Sequence, residues 1–428
     1  MRVYLASYGC TANRADGNLM ADLLREAGHS IVSKPNEADV LVVNTCTVRT
    51  ETERQMIAQI RELLPLNRRI IVSGCLAGAE PGIIRKLSRE ISMISPQAIE
   101  RIVEAVESQS SVYYLLPNSR HHLPHFVDGI RFMLPVAEGC RGSCAFCIVR
   151  IARGSLRSYS PNKIVEATAL AVKSGAKEIE LTAQDTASYG VDIGFRLPNL
   201  LKEICQITGR FMIRVGMMNP ESALEILDNL IYAYQSEKVY KFLHIPVQSG
   251  DDGVLRLMHR RYTVEDFKRV VDAFRKVFPE SVIATDVIVG FPNESEEAFK
   301  RTCKLLEEIR PDKVHAARFT ARPHTKATTM PQVPEYIKKG RSVTISKLVA
   351  RIGLEINRRW VSRVLECLVV KPALYGGLEA RTMSYKPVFI KDCDGLIGRF
   401  VKVKITTADS FKLFGETAEE INLRQPAE

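Results

Sequence analysis

The strongest chemical signal in the sequence is a loop with three closely spaced cysteines, Cys140, Cys144 and Cys147, here called the loop trio. They follow a C-x3-C-x2-C pattern within GCRGSCAFCIVRIARG, directly after a predicted strand. Three thiolates on one loop suit an iron–sulfur cluster, because its irons prefer cysteine sulfur and one iron keeps an open coordination position. A structural zinc ion needs a fourth ligand, and none lies nearby in the sequence, so zinc is the less favoured alternative.

A second set of cysteines, Cys10, Cys46 and Cys75, lies in the first hundred residues and is here called the N-terminal trio. Each cysteine stands at the C-terminal end of a predicted strand in a β-α-β-α-β segment, which predicts a parallel sheet with right-handed crossovers. The C-terminal ends of such strands share one edge, where ligands bind. The three thiols are therefore expected to converge on one site, against the alternative that they are small buried apolar residues.

The elements that must position these cysteines form an α/β fold with three domains. From Met133, six predicted strands alternate with helical patterns near 163–173, 222–234, 264–277 and 296–309, which predicts a complete or partial (β/α) barrel. A basic helical stretch over 338–360 follows, and short strand-like runs from 361 predict a small all-β barrel. The predicted limits are 1–110 for the parallel-sheet domain, 111–132 for a linker, 133–350 for the (β/α) barrel and 361–428 for the all-β barrel.

Composition limits the class of protein. The chain has 428 residues, of which 46% are hydrophobic and 25% charged, and this globular balance excludes a disordered chain. The net charge of +11 favours an acidic partner such as nucleic acid. Neither a secretory leader nor an apolar stretch of about 20 residues is found, which predicts a cytoplasmic protein without a membrane partner. In a reducing compartment, cysteine clusters indicate metal or redox chemistry rather than disulfides. The other four cysteines are interpreted as ordinary buried thiols: Cys205, Cys303, Cys367 and Cys393.

The cysteine patterns carry a resemblance to a known family. The loop trio resembles the radical S-adenosylmethionine superfamily, and nearly the whole chain resembles its methylthiotransferase family. Segments that match are GCTAN, NTCTV and SGCLA around the N-terminal trio, then LTAQDTASYG, HIPVQSGDDGVLRLMHRRYT and TDVIVGFPNESEEAF, with a final segment similar to a TRAM-type β-barrel. GCTAN, IVRIARGSLRSYSP, LTAQDTASYG and RPHTKATTMPQVP are most similar to the archaeal and eukaryotic branch that acts on threonylcarbamoyladenosine in tRNA.

The resemblance implies a tRNA methylthiotransferase that inserts a methylthio group at carbon 2 of threonylcarbamoyladenosine next to the anticodon, by 5′-deoxyadenosyl radical chemistry. The loop trio would be catalytic and bind one 4Fe-4S cluster, the N-terminal trio would bind a second, and S-adenosyl-L-methionine would be the cofactor and methyl source. The implied partners are a tRNA anticodon stem-loop, an electron donor and a sulfur source. The alternatives are methylthiolation of a ribosomal protein side chain or of isopentenyladenosine in tRNA, and a zinc-stabilised RNA-binding protein without enzymatic activity.

Five further residues are predicted to contact the cofactor. Gln184 and Asp185, at the end of the second barrel strand, are expected to hold the methionine ammonium group, unless they cap the next helix. Gln248 and Ser249, after the fourth strand, have the position expected for ribose or carboxylate contacts. Arg153, after the loop trio, is expected to neutralise cofactor or phosphate charge, with an exposed basic residue as the alternative.

Basic and aromatic residues indicate where RNA binds. The segment 139–159 contains four arginines and no acidic residue, which predicts positive potential at the barrel mouth. In the last domain, Tyr385, Lys386 and Phe389 are expected to form a stacking and backbone-binding face, although Phe389 has a core role as an equal alternative.

Three positions depart from the residues usual in the resembled family. Asn293 stands where GFPGE is usual, His324 where RPGT is usual, and His259 replaces a common asparagine. Altered local turns are the expected consequence at the first two positions, and an altered substrate contact at His259.

Overall fold

The structure is a computed structural model, and it describes residues 1–48, 50–117, 121–126, 129–374, 376–391 and 395–418. The predicted α/β fold class is confirmed, with a parallel-sheet domain, a partial (β/α) barrel and a closed β-barrel following one another along the chain. Within these ranges, the search for a helix long and apolar enough to cross a membrane finds none.

The N-terminal domain is built on a six-stranded sheet in which every neighbouring pair is parallel. The strands in spatial order are Ser30–Val32, Arg2–Ser7, Val40–Thr45, Arg69–Gly74, Ser92–Ile94 and Tyr113–Tyr114. The α-helices of the domain are Thr11–Glu26, Thr50–Leu63, Cys75–Ala79, Pro81–Leu87 and Ile102–Glu107. Chain order reverses between Arg2–Ser7 and Val40–Thr45, and in open parallel sheets such a switch point is where ligands bind.

Six parallel strands, here called barrel strands one to six, form the central domain as two three-stranded sheets joined by a bridge between Ile213 and Val239. They are Arg131–Pro135, Glu178–Thr182, Met212–Val215, Phe242–His244, Val282–Val289 and Lys313–Arg318. The helices are Ile148–Arg153, Pro161–Lys173, Leu197–Cys205, Pro220–Leu224, Leu227–Ala233, Asp252–Leu257, Val264–Val277, Glu296–Ile309 and Glu335–Arg358. The first strand thus starts before residue 133 and the last helix runs past 350, the predicted limits of this domain.

Apolar spacing explains how the outer helices cover the barrel. Helix Val264–Val277 buries Phe267, Val270, Val271 and Phe274, an i, i+3, i+4, i+7 pattern that forms one apolar face. A Thr263–Asp266 capping box begins this helix. The single helix predicted near 222–234 is wrong, because the chain forms two short helices separated by a non-helical residue, Ile226.

The C-terminal domain is a closed five-stranded barrel with the order Val364–Pro372, Leu378–Thr382, Pro387–Ile390, Leu413–Thr417 and Phe400–Ala408. Sequence analysis found four of these strands and missed Leu378–Thr382, whose LEART sequence lacks a β-branched run. Cys367 is buried in this barrel as predicted. Cys205 and Cys303 are only partly buried, and Cys393 lies outside the described residues.

The predicted RNA-stacking face of the last domain is wrong for two of its three residues. The Tyr385 ring packs against Tyr240 and Phe242 at the floor of the (β/α) barrel, with both centroid separations 4.9 Å. Lys386 is 3% exposed, and its Nζ lies 2.8 Å from Asp312 Oδ1 and donates to Asn357 Oδ1 at 2.6 Å. These side chains therefore join two domains and are not available for RNA. Phe389 is partly exposed and packs edge-on against Phe414.

The three departures from the resembled family all adopt left-handed backbone conformations, with φ of 62° at Asn293, 64° at His324 and 57° at His259. Asparagine and histidine are among the non-glycine residues that tolerate this region best. The turns therefore keep the left-handed backbone conformation that glycine favours. This is contrary to the expectation that the turns at Asn293 and His324 differ from those usual in the resembled family.

We expect Lys386→Met to lower the free energy of unfolding by about 3–5 kcal/mol, because it leaves the Asp312 carboxylate buried without its cation. Lys404→Met is the matched control, since Lys404 is exposed on strand Phe400–Ala408 of the same barrel. The control should change stability by less than about 0.5 kcal/mol. Calorimetric unfolding of both variants measures this, and equal effects would contradict a structural role for the buried lysine.

Candidate functional site

The N-terminal trio lies at one edge of the first sheet. Cys10 precedes helix Thr11–Glu26, Cys46 follows strand Val40–Thr45, and Cys75 begins the next helix directly after strand Arg69–Gly74. The three strands are adjacent, so their C-terminal ends bring the thiols together. Gly9 permits the closest approach, since a Cβ on it would lie 2.7 Å from Cys46 Cβ. This edge includes the switch point of the sheet.

Burial sets the protonation of the metal-free thiols. It raises the pKa of Cys75 to about 12 and also raises the pKa of Cys46, while neighbouring Arg153 opposes both shifts. Cys10 remains exposed. Because a metal ligand must be a thiolate, binding of a positively charged centre here would release protons.

A buried arginine from the barrel domain reaches into the N-terminal domain beside this site. Arg153, only 1% exposed, places Nη2 at 2.7 Å from Asp16 Oδ2 and Nη1 at 2.6 Å from Glu138 Oε2. Its Nη2 also donates to Asn13 Oδ1 at 3.3 Å. The alternative of an exposed basic residue is therefore wrong. Burial opposes the charge of Arg153, but Asp16, Glu138, Cys75 and Cys10 raise its pKa, so the guanidinium interacts with the N-terminal trio.

A second buried guanidinium, that of Arg322, makes a similar contact from the segment after the sixth barrel strand. Its Nη2 pairs with Glu53, donates to Thr47 Oγ1 and lies 3.3 Å from Glu80 Oε1. Thr47 is the residue directly after Cys46. Two arginines of the barrel domain therefore hold the loops and helices that carry the N-terminal trio.

The loop trio lies at the mouth of the (β/α) barrel, between the first barrel strand and helix Ile148–Arg153. Backbone hydrogen bonds fix this loop, since Ala145 N donates to Met258 O at 3.0 Å and Ala327 N donates to Ala145 O at 2.8 Å. Burial raises the pKa of Cys140 to about 11, with further contributions from Asp185 and the other two thiols. The three sulfurs are therefore close enough to interact electrostatically.

Arg260 is a functional candidate that sequence analysis missed. Burial opposes its charge, but Tyr262 and the three thiols of the loop trio raise its pKa. Its Nε is buried without a hydrogen-bond partner among the described residues, and its guanidinium lies 5.5 Å from the Phe146 ring centroid. A partly buried cation with an unused donor beside three thiols is suited to an anionic ligand. The only signal in the sequence was its place in the MHRRYT run.

The two residues after the second barrel strand have different environments. Asp185 is 4% exposed and accepts hydrogen bonds from Ser188 Oγ at 2.6 Å, Ser222 Oγ at 2.7 Å and Asn219 N at 2.9 Å. Its carboxylate is therefore engaged in joining the following segments, which favours a structural role for this residue. Gln184 Oε1, in contrast, is buried without a hydrogen-bond partner, as expected for an acceptor that serves a ligand.

Gln248 and Ser249 lie where the fourth barrel strand continues toward the mouth. Gln248 has a left-handed φ of 67°, uncommon for a glutamine, and its N–H donates to Asp286 O at 2.8 Å. Ser249 is fully buried, and its Oγ accepts from Asp251 N at 3.3 Å. Backbone strain of this kind concentrates at ligand sites, so Gln248 remains a candidate for cofactor contact.

In neither trio do the three sulfur atoms all lie within 4.8 Å of one another, the limit for the ligands of a single metal ion. Among the described residues, only His244, Asp286 and His315 form a set of three whose ligand atoms all lie within 4.8 Å of one another. A zinc ion holds its sulfur ligands about 2.3 Å from the metal, so they must lie closer together than this limit. A cluster whose thiolates bind different irons does not require such close sulfurs, so both trios fit a cluster better than zinc.

Comparison with known families matches each domain separately. Residues 2–95 match the uncharacterized protein family UPF0004, residues 134–306 the radical SAM superfamily and residues 359–418 the TRAM domain. A relative from Pyrococcus horikoshii, called probable threonylcarbamoyladenosine tRNA methylthiotransferase, is 44% identical over 97% of this chain and 99% of its own. The chain belongs to the threonylcarbamoyladenosine tRNA methylthiotransferase family. The human relative is 31% identical, covering 100% of this chain and 76% of its own.

Solved structures similar to this family member share its fold. The radical S-adenosylmethionine methyltransferase TsrM from Kitasatospora setae superposes with a TM-score of 0.56 at 13% identity, covering 85% of this chain and 79% of TsrM. The cobalamin-dependent enzyme OxsB gives 0.53 at 10% identity, covering 81% and 56%. This threonylcarbamoyladenosine tRNA methylthiotransferase family member is therefore an enzyme of the radical SAM superfamily, whose cofactors are S-adenosylmethionine and a 4Fe-4S cluster.

Arg153→Met should destabilise the protein by about 3–5 kcal/mol, because it leaves Asp16 and Glu138 buried without their cation. It should also expose Cys75, which is 2% exposed in the structure. Thermal unfolding and the alkylation rate of Cys75 in the metal-free protein, followed by mass spectrometry, measure both effects. Arg150→Met is the control on the same helix, since Arg150 donates a hydrogen bond to the uncharged Ser155 Oγ at 3.2 Å. Equal alkylation rates in the two variants would contradict the role of Arg153 in keeping Cys75 buried.

Proposed function

We propose that this chain inserts a methylthio group at carbon 2 of threonylcarbamoyladenosine in the anticodon stem-loop of tRNA. The loop trio would hold the 4Fe-4S cluster that binds S-adenosylmethionine, and the N-terminal trio would hold a second 4Fe-4S cluster. An external electron donor and a sulfur source complete the requirements.

One observation carries the proposal: the helices that follow the two trios pack directly on each other. Cys75 and Ala79 of helix Cys75–Ala79 form a small buried cluster with Ile148 and Ala152 of helix Ile148–Arg153. Gly78 lies at this contact, where a Cβ would come within 3.2 Å of Ala152 O. Both trios therefore belong to one rigid unit, as a reaction that uses two clusters on one base requires.

Residues around the loop trio fit the functional groups of S-adenosylmethionine. The unpartnered Gln184 Oε1 is suited to accept a hydrogen bond from the amino group, and the unused Arg260 donor is suited to the carboxylate. Gln248 and Ser249 line the neighbouring strand end and are the proposed ribose contacts. Asp185 is proposed to act indirectly, by fixing the strand end that presents Gln184.

When bound, the cofactors supply a 5′-deoxyadenosyl radical, a sulfur atom and a methyl group for substitution of the hydrogen at carbon 2. The protein orients the reactants and excludes water. Phe146 and Phe291 pack edge-on at 6.1 Å beneath the loop and make its surroundings apolar. Arg153 places a buried positive charge beside the N-terminal trio, where it would stabilise thiolates and an anionic cluster.

RNA would approach the same mouth. Arg141, Arg150 and Arg157 lie at or next to the loop, and none is fully buried. Arg141 contacts Glu225 at 3.2 Å, so part of its charge is already neutralised. Phosphate binding there would be electrostatic and would weaken with salt. A target base must leave its stack to reach the thiols, and an anticodon loop permits this at low cost.

Iron content tests the two-cluster assignment. Anaerobically reconstituted protein should bind about eight irons, as two cubane clusters require. Alanine substitution of either trio should reduce this to about four. Cys205→Ala is the control and should keep the full content, because Cys205 belongs to neither trio. Retention of about four irons by the unmodified chain would rule out the second cluster.

Product analysis tests the reaction. The reduced holoenzyme with S-adenosylmethionine and an anticodon stem-loop containing threonylcarbamoyladenosine should yield 5′-deoxyadenosine and the methylthio nucleoside, identified by mass spectrometry. The variant without the N-terminal trio should still release 5′-deoxyadenosine but no methylthio nucleoside. The variant without the loop trio should yield neither product. An unchanged nucleoside after turnover of the intact enzyme would refute the proposed function.

A further inference from the structure

A polar layer crosses the interior of the (β/α) barrel beneath the strand ends. His244, Asp286 and His315 come from the fourth, fifth and sixth barrel strands, and Asp286 is paired in register with His315. His244 Nε2 lies 2.8 Å from Asp286 Oδ2, and the two imidazole rings are 5.7 Å apart. The opposite face of these strands, with Leu243, Ile283 and Val287, packs into the main core, so the polar layer faces inward.

Two cations without salt bridges among the described residues lie in the same interior. Lys313 is two residues before His315 and therefore on the same face of its strand. Arg214, on the third strand, has a buried Nε without a hydrogen-bond partner, and its guanidinium lies 5.4 Å from the Phe242 ring centroid. The pKa of Lys313 is lowered by burial and by the positive charges of Arg381 and Arg214, although Asp286 opposes the shift. Positive charge is thus concentrated beside the polar layer.

The other charged groups of the barrel floor neutralise one another. Arg131 lies 3.5 Å from both Glu178 and Glu180, and Arg381 pairs with Glu379. Their charges are therefore largely compensated, which leaves Lys313 and Arg214 as the cations that can accept an anionic ligand.

Solvent reaches this layer even though it lies inside a domain. The Asp286 side chain is 25% exposed although its strand has a neighbour on each side, and Lys313 is exposed at the start of the edge strand of this sheet. Solvent therefore has access to the space between these side chains, which is here called the recess. Tyr385 closes the floor, and the Gln248 N–H bonded to Asp286 O connects the layer to the proposed cofactor site.

We propose that this recess binds the carboxylate-bearing substituent of threonylcarbamoyladenosine, with Lys313 and Arg214 on the carboxylate and Asp286 with the two histidines on its hydroxyl and amide groups. The inference rests on the proposed function and adds the residues that select the substrate. An apolar isopentenyl substituent would cover the cations of Lys313 and Arg214 without neutralising them, so the recess would reject it. The histidine–aspartate set could alternatively hold a divalent cation, but the adjacent Lys313 and Arg214 repel one.

A binding cycle tests the recess. The holoenzyme, Lys313→Met and Arg214→Lys are each titrated with two fluorescent anticodon stem-loops, one carrying threonylcarbamoyladenosine and one unmodified adenosine at that position. The holoenzyme should prefer the modified stem-loop by about 10- to 100-fold, the ratio expected for hydrogen bonds to charged groups. Both variants should lose most of this preference while binding the unmodified stem-loop normally. Lys173→Met, an exposed lysine on an outer helix, is the control and should keep the full preference.

The outcomes separate this inference from the proposed function. Folding of each variant is checked by its iron content and by release of 5′-deoxyadenosine without RNA. An unchanged preference in both variants, with methylthio product still formed by the holoenzyme, overturns the recess and leaves the proposed function standing. A stoichiometric divalent metal other than iron that is lost in His315→Ala also overturns it, in favour of a metal site. Absence of methylthio product from the holoenzyme overturns both proposals together.

Discussion

The buried ion pairs of Arg153 with Asp16 and Glu138 are the interaction on which the arrangement of the molecule depends. All three side chains are almost fully buried, and the guanidinium comes from one domain while one of the carboxylates comes from the other. Separating the domains would leave these charges unpaired in a low-dielectric interior or require their rehydration. Arg322 forms a second set of buried ion pairs between the two domains, with Glu53 and Glu80. The two contacts hold the N-terminal domain and the barrel in one relative orientation.

This orientation determines how the two cysteine sets face each other. Helix Ile148–Arg153 begins after Cys147 and ends at Arg153, the residue that pairs with Asp16. One short helix therefore connects the loop trio to the N-terminal domain. Small residues at its contact with helix Cys75–Ala79 permit close packing. A displacement of either helix would therefore move one set of thiols relative to the other. Such precision would be needed for the proposed reaction, in which two centres act on a single carbon atom.

The C-terminal barrel completes the central domain from the opposite end. Leu368, Val370 and Tyr385 pack with Met212, Phe242 and Ala284, which lie on the barrel floor. Lys386 anchors this contact through Asp312 and Asn357. The floor is apolar at its base and carries charged side chains above it. One surface of the third domain is thereby used for packing against the central domain.

Local patterns in the sequence were sufficient for the fold class, the family and the two cysteine sets. Strand periodicity, the position of each cysteine at a strand end and the C-x3-C-x2-C spacing are short-range properties that any parallel α/β arrangement preserves. Even the left-handed positions Asn293 and His324 were visible as departures from usual glycines. The break between helices Pro220–Leu224 and Leu227–Ala233 was not visible in the sequence, because helical periodicity continues across it.

Only the tertiary structure decided the partners of the charged side chains. Arg153 resembles any basic residue after a cluster loop, and its burial depends on Asp16, which lies more than one hundred residues away in sequence. Tyr385 and Lys386 have the composition of an RNA-binding face, yet the apolar floor of the barrel buries both. Lys313 and Arg214 show no motif, and only the arrangement of their strands brings both side chains to one interior. Sequence therefore determined the strands and the positions of the cysteines beside their ends, whereas long-range packing decided which charged side chains are neutralised by a partner.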